Sequence, residues 1–225
     1  MVLIEKLFPV NEPIPPHTDE WYMARLGRIT ASSRAGRIAS GNPTVLNAVL
    51  AELRYELEYG EPYSKFKGNR HTAHGTRFEE QAFREYDLAD LEMTEKVYEP
   101  GFMVHPEIPI LAATPDFLEG EDTIGEIKCP SKPGRHLAMW HHGMDAQYLY
   151  QVQAQSLVTG RPRIVFISYD PRAVLQQRLY VEHQHAQPDI QQRILHNASL
   201  IWTCLKDGGE VAPHAKIESG VPNLF

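Results

Sequence analysis

Apolar and polar residues recur with two different periods along this chain, and the change of period falls near residue 93. Before it the spacing is helical. Val45, Leu46, Val49, Leu50, Leu53 and Leu57 recur at intervals of three and four, which predicts a long core helix entered at Thr44 behind Pro43 and stopped by Gly60. A short helix is expected over 19–26, and the hydroxyls of Thr30, Ser32 and Ser33 suit the capping of the next one. Residues 61–74 read as a polar, basic loop. Gly75 then opens a helix with Phe78, Ala82, Phe83 and Tyr86 on one face and Glu79 beside it.

After Met93 short β-prone runs separated by Pro, Gly and Asp follow one another at 95–98, 102–105, 110–113, 117–119 and 123–129, which predicts an antiparallel meander. A helix is expected over 145–159 with Gly160 as its stop, then strands at 163–169 and 177–183. A final helix over 189–205 carries Ile190, Ile194, Ala198, Ile201 and Leu205 on one stripe. The fold class is therefore α/β (α+β), with one domain over 1–225, a Pro-rich lead at 1–18 and a turn-rich tail at 208–225 expected to be exposed.

With 225 residues, 42% of them hydrophobic, the chain is long enough for one domain with its own core, and disorder is excluded. No apolar run reaches the roughly 18 residues of a membrane span, and acidic residues and prolines stand where a secretory peptide needs a basic start. A cytoplasmic protein with no membrane partner is expected. Cys129 and Cys204 are too few for a disulfide framework or a four-cysteine zinc site. The 22 basic and 29 acidic residues leave a net charge of −7, which excludes coating nucleic acid by overall positive charge but leaves nucleic-acid enzymes open. His136, His141 and His142 read as exposed or DNA-facing rather than as zinc ligands.

The chemistry concentrates between residues 113 and 130. Asp116 follows Pro115 at the end of a predicted strand, and Glu126 and Lys128 lie in the next one, where positions i and i+2 share a face. Two carboxylates and a lysine thus converge at one end of a small sheet. Mg²⁺ takes hard oxygen ligands, and Asp116, Glu126 and the Ile127 carbonyl supply them, while Lys128 is placed to position or deprotonate an attacking water. An isolated E-x-K pair would read as an exposed cross-strand ion pair of little consequence. The P-D-x(9)-E-x-K arrangement with Cys129 and Pro130 following favours phosphodiester hydrolysis.

These residues resemble the PD-(D/E)xK nuclease core, a restriction-endonuclease-like fold with a central mixed β-sheet flanked by α-helices, and specifically its lambda-exonuclease or YqaJ-type viral recombinase branch. Three further segments agree in order: R-x-G-R-I-T-A-S from Arg25 to Ser32, G-T-R-F-E from Gly75 to Glu79, and the glutamine-containing segment with Gln151, Gln153 and Gln155. The resemblance runs from residue 21 to about 172. It implies a Mg²⁺-dependent exonuclease (Mn²⁺ as substitute, two ions per site) that degrades one strand of linear double-stranded DNA processively from the 5′ end and releases 5′-phosphomononucleotides. It also implies a homotrimeric ring and a single-strand annealing recombinase as partner in phage-type recombination inside a bacterial host; in such a ring each copy is expected to contribute either its basic segment with Lys65, Lys67 and Arg70 or its active-site cleft to the channel. Carried over residue by residue, Asp116, Glu126 and Glu79 serve the metal, Lys128 is the catalytic lysine, Gln153 is the motif's glutamine, and Arg25 and Ser32 bind phosphate. The alternatives are an endonuclease on the same core and a DNA-end binding module.

Overall fold

The computed structural model describes residues 3–64, 70–90 and 93–212. Its first third is helical: α1 (Asp19–Arg25), a short β1 (Ile29–Thr30), α2 (Ala35–Ile38), α3 (Pro43–Tyr59) and α4 (Arg70–Ala89). Then come β2 (Lys96–Tyr98), β3 (Met103–Val104), β4 (Leu111–Ala113), β5 (Phe117–Glu119), β6 (Thr123–Lys128), α5 (Pro133–His142), α6 (Leu149–Thr159), β7 (Arg163–Tyr169), β8 (Leu179–His185) and α7 (Pro188–Asp207). No helix among the described residues is long and apolar enough to cross a membrane.

The main sheet has the order β2-β5-β6-β7-β8 and is mixed: β6 and β7 are parallel, and every other pair is antiparallel. The parallel pair needs a crossover, and α5 and α6 supply it. One sheet face packs Phe117, Ile127 and Val165 on Ala82 and Tyr86 of α4. The other packs Ile124 and Phe166 on Met139 of α5 and Val152 of α6. Strand β6 is therefore covered on both faces. Gly125 is required within it, because a Cβ there would stand 2.0 Å from the Phe117 ring. A second core, with Leu46, Leu50, Leu53, Ala154, Ile194 and Ile201 among its members, joins α3, α6 and α7, so α6 is shared between the two halves.

Several sequence expectations are corrected. The strands between 95 and 129 do not form one meander: β3 and β4 join β1 in a separate three-stranded sheet, and β2 passes them to pair with β5. Alternation marks a strand but not its partner, and Gly101 (φ 104) and Pro115 turn the chain between the two sheets. Helix α4 begins at Arg70 rather than Gly75, and α5 was not anticipated. The cap of α3 is Asn42, whose Oδ1 accepts from the Thr44 N–H at 2.9 Å. Ser32 does not cap α2: Arg34 occupies the cap position without a side-chain bond, and Ser33 pairs with Thr30 at 2.6 Å. The beginning of the tail is docked, with Val211 buried and bonded through its backbone to both ends of the Asn47 amide. Residues 213–225, Lys65 and Lys67, and the side chain of Arg70 lie outside the described residues.

Candidate active site

Strands β5 and β6 pair from Glu119–Thr123 to Phe117–Gly125, and the Asp116 N–H closes the ladder on the Gly125 carbonyl at 3.0 Å. Beyond that point β6 continues alone beside β7, leaving a notch. Asp116 fills it: its Oδ2 accepts from the Ile127 N–H at 2.6 Å. A strand residue presents its N–H and carbonyl to the same side, so the Ile127 carbonyl also faces the notch.

Glu126 and Lys128 project from β6 toward α6. Glu126 is 1% exposed and fully engaged: Oε1 accepts from Lys128 and from Gln151 Nε2 at 2.6 Å, and Oε2 accepts from Gln155 Nε2 at 2.5 Å. The Lys128 ammonium lies 5.3 Å from the centre of the Tyr148 ring. Glu79 comes from α4, on the other face of the sheet, and lines one cleft with Ile127 and Lys128. That cleft, of about 450 Å³, is lined also by Tyr148, with Lys132 and Arg135 of the α5 entrance at its mouth.

The electrostatics are those of too many anions for one cation. Burial, then the Glu126 charge, lifts the Asp116 carboxyl well above its ordinary range, and Lys128 only partly opposes this. Burial also raises the Glu79 carboxyl, with Lys128 acting against the shift and Glu126 and Glu99 adding to it. Burial works against the Lys128 ammonium, but Glu126 and Asp116 outweigh it and raise the pKa above that of an ordinary lysine. The Cys129 thiol is pushed up by burial and by Glu79 and Asp116, which disfavours its thiolate.

Among the described residues no group of three or more His, Cys, Asp or Glu side chains is arranged to hold a metal ion. The donor set still fits Mg²⁺, which commonly takes one or two carboxylates and keeps waters and substrate phosphate in its remaining positions. Glu79 and Ile127 line the cleft, and Asp116 and Glu126 stand directly behind it on either side of Ile127, so hard oxygen donors are grouped at one place.

Gln153 is a correction. It is fully buried on the opposite side of α6, where Nε2 donates to the His185 carbonyl at 2.9 Å and Oε1 accepts from the Gln187 N–H at 2.7 Å. Two helical residues turn the side chain by about 200°, whereas i and i+4 share a face, so Gln151 and Gln155 together clamp Glu126. The helical spacing held that signal. His136 is likewise not solvent-facing: it is buried between the Ser168 hydroxyl at 2.8 Å and the Gln177 carbonyl at 2.6 Å. Ser32 is exposed in the turn before α2, and Arg25 at the end of α1 lies 4.3 Å over the Trp21 ring. The Trp21 Nε1–H donates to Thr114 Oγ1 at 3.2 Å, which ties α1 to the strand end just before Asp116.

This geometry has relatives. The sequence profile of the YqaJ-like viral recombinase domain matches residues 20–162. The chain belongs to that family. Its fold is similar to the crystal structure of an alkaline exonuclease, LHK-Exo, from Laribacter hongkongensis, with 28% identity and a TM-score of 0.74 over 85% of this chain and 94% of that one. The structure of LHK-Exo in complex with dAMP aligns over the same shares at 27% identity and a TM-score of 0.72. A phage related exonuclease from Haemophilus somnus 129PT shares the fold, with 13% identity and a TM-score of 0.63 over 80% of this chain and 94% of that one. No curated protein matches. The mixed sheet flanked by helices is thus an exonuclease fold of the PD-(D/E)xK type, as the motifs implied.

Proposed function

We propose that this YqaJ-family chain is a divalent-metal-dependent exonuclease that hydrolyses linear double-stranded DNA processively from 5′ ends to 5′-mononucleotides, leaving 3′ single strands for phage-type recombination. The observation that carries the reading is the grouping of Asp116, Glu126 and Lys128 at the end of β6, beside a cleft that Lys128, Ile127 and Glu79 line. Asp116, Glu126, Glu79 and the Ile127 carbonyl would hold Mg²⁺, or Mn²⁺ in its place, with room in the donor set for two ions. When bound, such ions supply Lewis-acid polarisation of the phosphoryl oxygen and stabilise the leaving 3′ oxygen.

The chain's own groups do the rest. Lys128, held as an ammonium by Glu126 and Asp116, orients the attacking water by donation and neutralises charge developing on the phosphoryl oxygens. Gln151 and Gln155 fix both oxygens of Glu126, so that carboxylate does not need to reorganise during the reaction. Arg25 and Ser32 receive a 5′-terminal phosphate, and a ring of three copies retains the duplex while an annealing recombinase takes the exposed strand, in the cytoplasm of a bacterial host.

Incubation with end-labelled linear duplex and closed circular plasmid, in Mg²⁺ and in EDTA, tests the assignment. The expected result is Mg²⁺-dependent release of 5′-mononucleotides from linear DNA, with circles intact. Nicking of circles would make it an endonuclease of the same core, and binding without cleavage an end-binding module. Sedimentation at three times 25.6 kDa is expected for the ring. A monomer would remove the ring and leave the nuclease.

A further inference from the structure

The segment from Arg25 to Arg34 is gripped from behind by α3, and the grip converges on one carboxylate. Glu56 is 5% exposed and accepts from the Gly27 N–H at 3.0 Å, Arg34 Nη1 at 3.1 Å, Arg34 Nη2 at 2.6 Å and the Tyr63 N–H at 3.2 Å. Gly27 has a φ of 70° and meets α3 so closely that a Cβ would stand 2.4 Å from Leu57 Cδ2. Arg34 also donates to the Arg28 carbonyl at 2.9 Å and to Glu52 at 3.1 Å, and Glu52 is shared with Arg37. The Arg25 guanidinium, two residues before Gly27, forms no hydrogen bond or ion pair among the described residues and rests on Trp21. One arginine is therefore neutralised and immobile while its neighbour keeps a spare charge.

We propose that Glu56 is the positioning residue for recognition of the DNA end phosphate: it pins the Gly27 turn that aims Arg25, and it neutralises Arg34 so that Arg25 alone attracts the anion. This rests on the reading of Arg25 as the phosphate-binding group. Without the Glu56 charge, Arg34 and Arg37 are left to share the one carboxylate of Glu52, so one positive charge is left over that repels Arg25 and competes for phosphate, and the Gly27 N–H keeps only a neutral amide oxygen as acceptor. Burial and then Arg34 already lower the Arg25 pKa, and Glu56 opposes them.

The test compares KM and kcat on linear duplexes bearing 5′-phosphoryl or 5′-hydroxyl ends. Arg25→Ala is expected to abolish the KM advantage of the phosphorylated end. Glu56→Gln is expected to shrink that advantage about ten-fold, the scale of one lost charge-assisted interaction, with kcat on hydroxyl ends near wild type. Glu56→Asp should restore part of it. A merely structural role would lower both substrates together, and that result overturns the proposal. So does a wild-type preference in Glu56→Gln when Arg25→Ala has lost it. A wild-type preference in Arg25→Ala defeats the phosphate reading itself and the proposal with it. Should circular dichroism show Glu56→Gln unfolded, Arg34→Lys decides, because it keeps the charge but gives up the two-pronged grip on Glu56. A reduced preference then supports the proposal, and an unchanged one overturns it.

Discussion

Two buried glutamates, Glu126 and Glu56, are each surrounded by donors, yet they differ in what is left over. Around Glu126 stand Asp116 and Glu79, so three carboxyl groups face the single ammonium of Lys128, and Asp116 and Glu79 are held above their ordinary range. Around Glu56 stand Glu52, Arg34 and Arg37, two anions and two cations in balance, with Arg25 adding one positive charge. The first centre opens to a cleft, and the second is packed between α2 and α3. On the proposed function, the excess of carboxyl groups at the notch suits a divalent cation and the spare charge of Arg25 suits an anion. Where charge balances, a buried network holds the frame.

The largest expected effect is on the first centre. Glu126→Ala should lower the single-turnover rate on linear duplex by about 10³-fold or more, because metal-assisted charge stabilisation is worth several kcal/mol. Retention of a tenth of the wild-type rate would end the assignment. Lys128→Ala should be nearly as inactive, and Lys128→Arg should rescue it only in part, since a planar guanidinium does not reproduce a compact ammonium.

Stability should sort the two glutamates the other way. In urea melts without divalent metal, Glu56→Gln should cost about 3–5 kcal/mol, the usual result of removing one partner from a buried ion pair. Glu126→Gln should cost less, because it also relieves repulsion on Asp116. Equal costs would erase the distinction between frame and site.

A smaller effect separates the glutamines. Gln155→Leu removes one hydrogen bond to a charged group, about 1.5–3 kcal/mol, so the Mg²⁺ concentration for half-maximal activity should rise about ten-fold or more. Gln153→Leu should lower stability and leave the Mg²⁺ requirement alone, and a Mg²⁺ shift in that variant would restore Gln153 to the site.

The smallest effect lies outside both centres and gives their baseline. His105 accepts through Nδ1 from the Glu107 and Ile108 N–H groups, and burial lowers its pKa, with Glu107 acting against the shift. The unfolded chain then binds the proton at higher pH than the folded one, so stability falls as pH drops through the ordinary histidine range. Relative to His105→Asn, which accepts without titrating, the wild type should lose no more than about 1.4 kcal/mol per pH unit. An identical pH dependence would remove His105 as its cause.

The chemistry-bearing strand was legible because its signals are local. Period-two alternation put Glu126 and Lys128 on one face, and the turn after Pro115 put Asp116 beside them, within a dozen residues of chain. Helix α3 and the stop at Gly60 were legible for the same reason, as were the bounds of β7. The capping atoms were harder, since Asn42 and Thr44 both suit the start of α3 and only backbone geometry chooses between them.

What the residues determined by themselves was which segments alternate, where helices stop and which carboxylates share a hairpin, all set by steric and hydrophobic rules acting over a few residues. Partnership was decided only in three dimensions. The choice of Gln151 and Gln155 over Gln153 depends on how α6 rotates against β6, and the passage of β2 past β3 and β4 to reach β5 depends on which edges remain unpaired once both cores have formed. The split between Glu126 as site and Glu56 as frame likewise rests on contacts between residues 29 apart for Glu56 and Gly27 and 25 apart for Glu126 and Gln151. Hydrophobic burial selects such contacts by the whole set of surfaces it brings together, and no local period encodes that set.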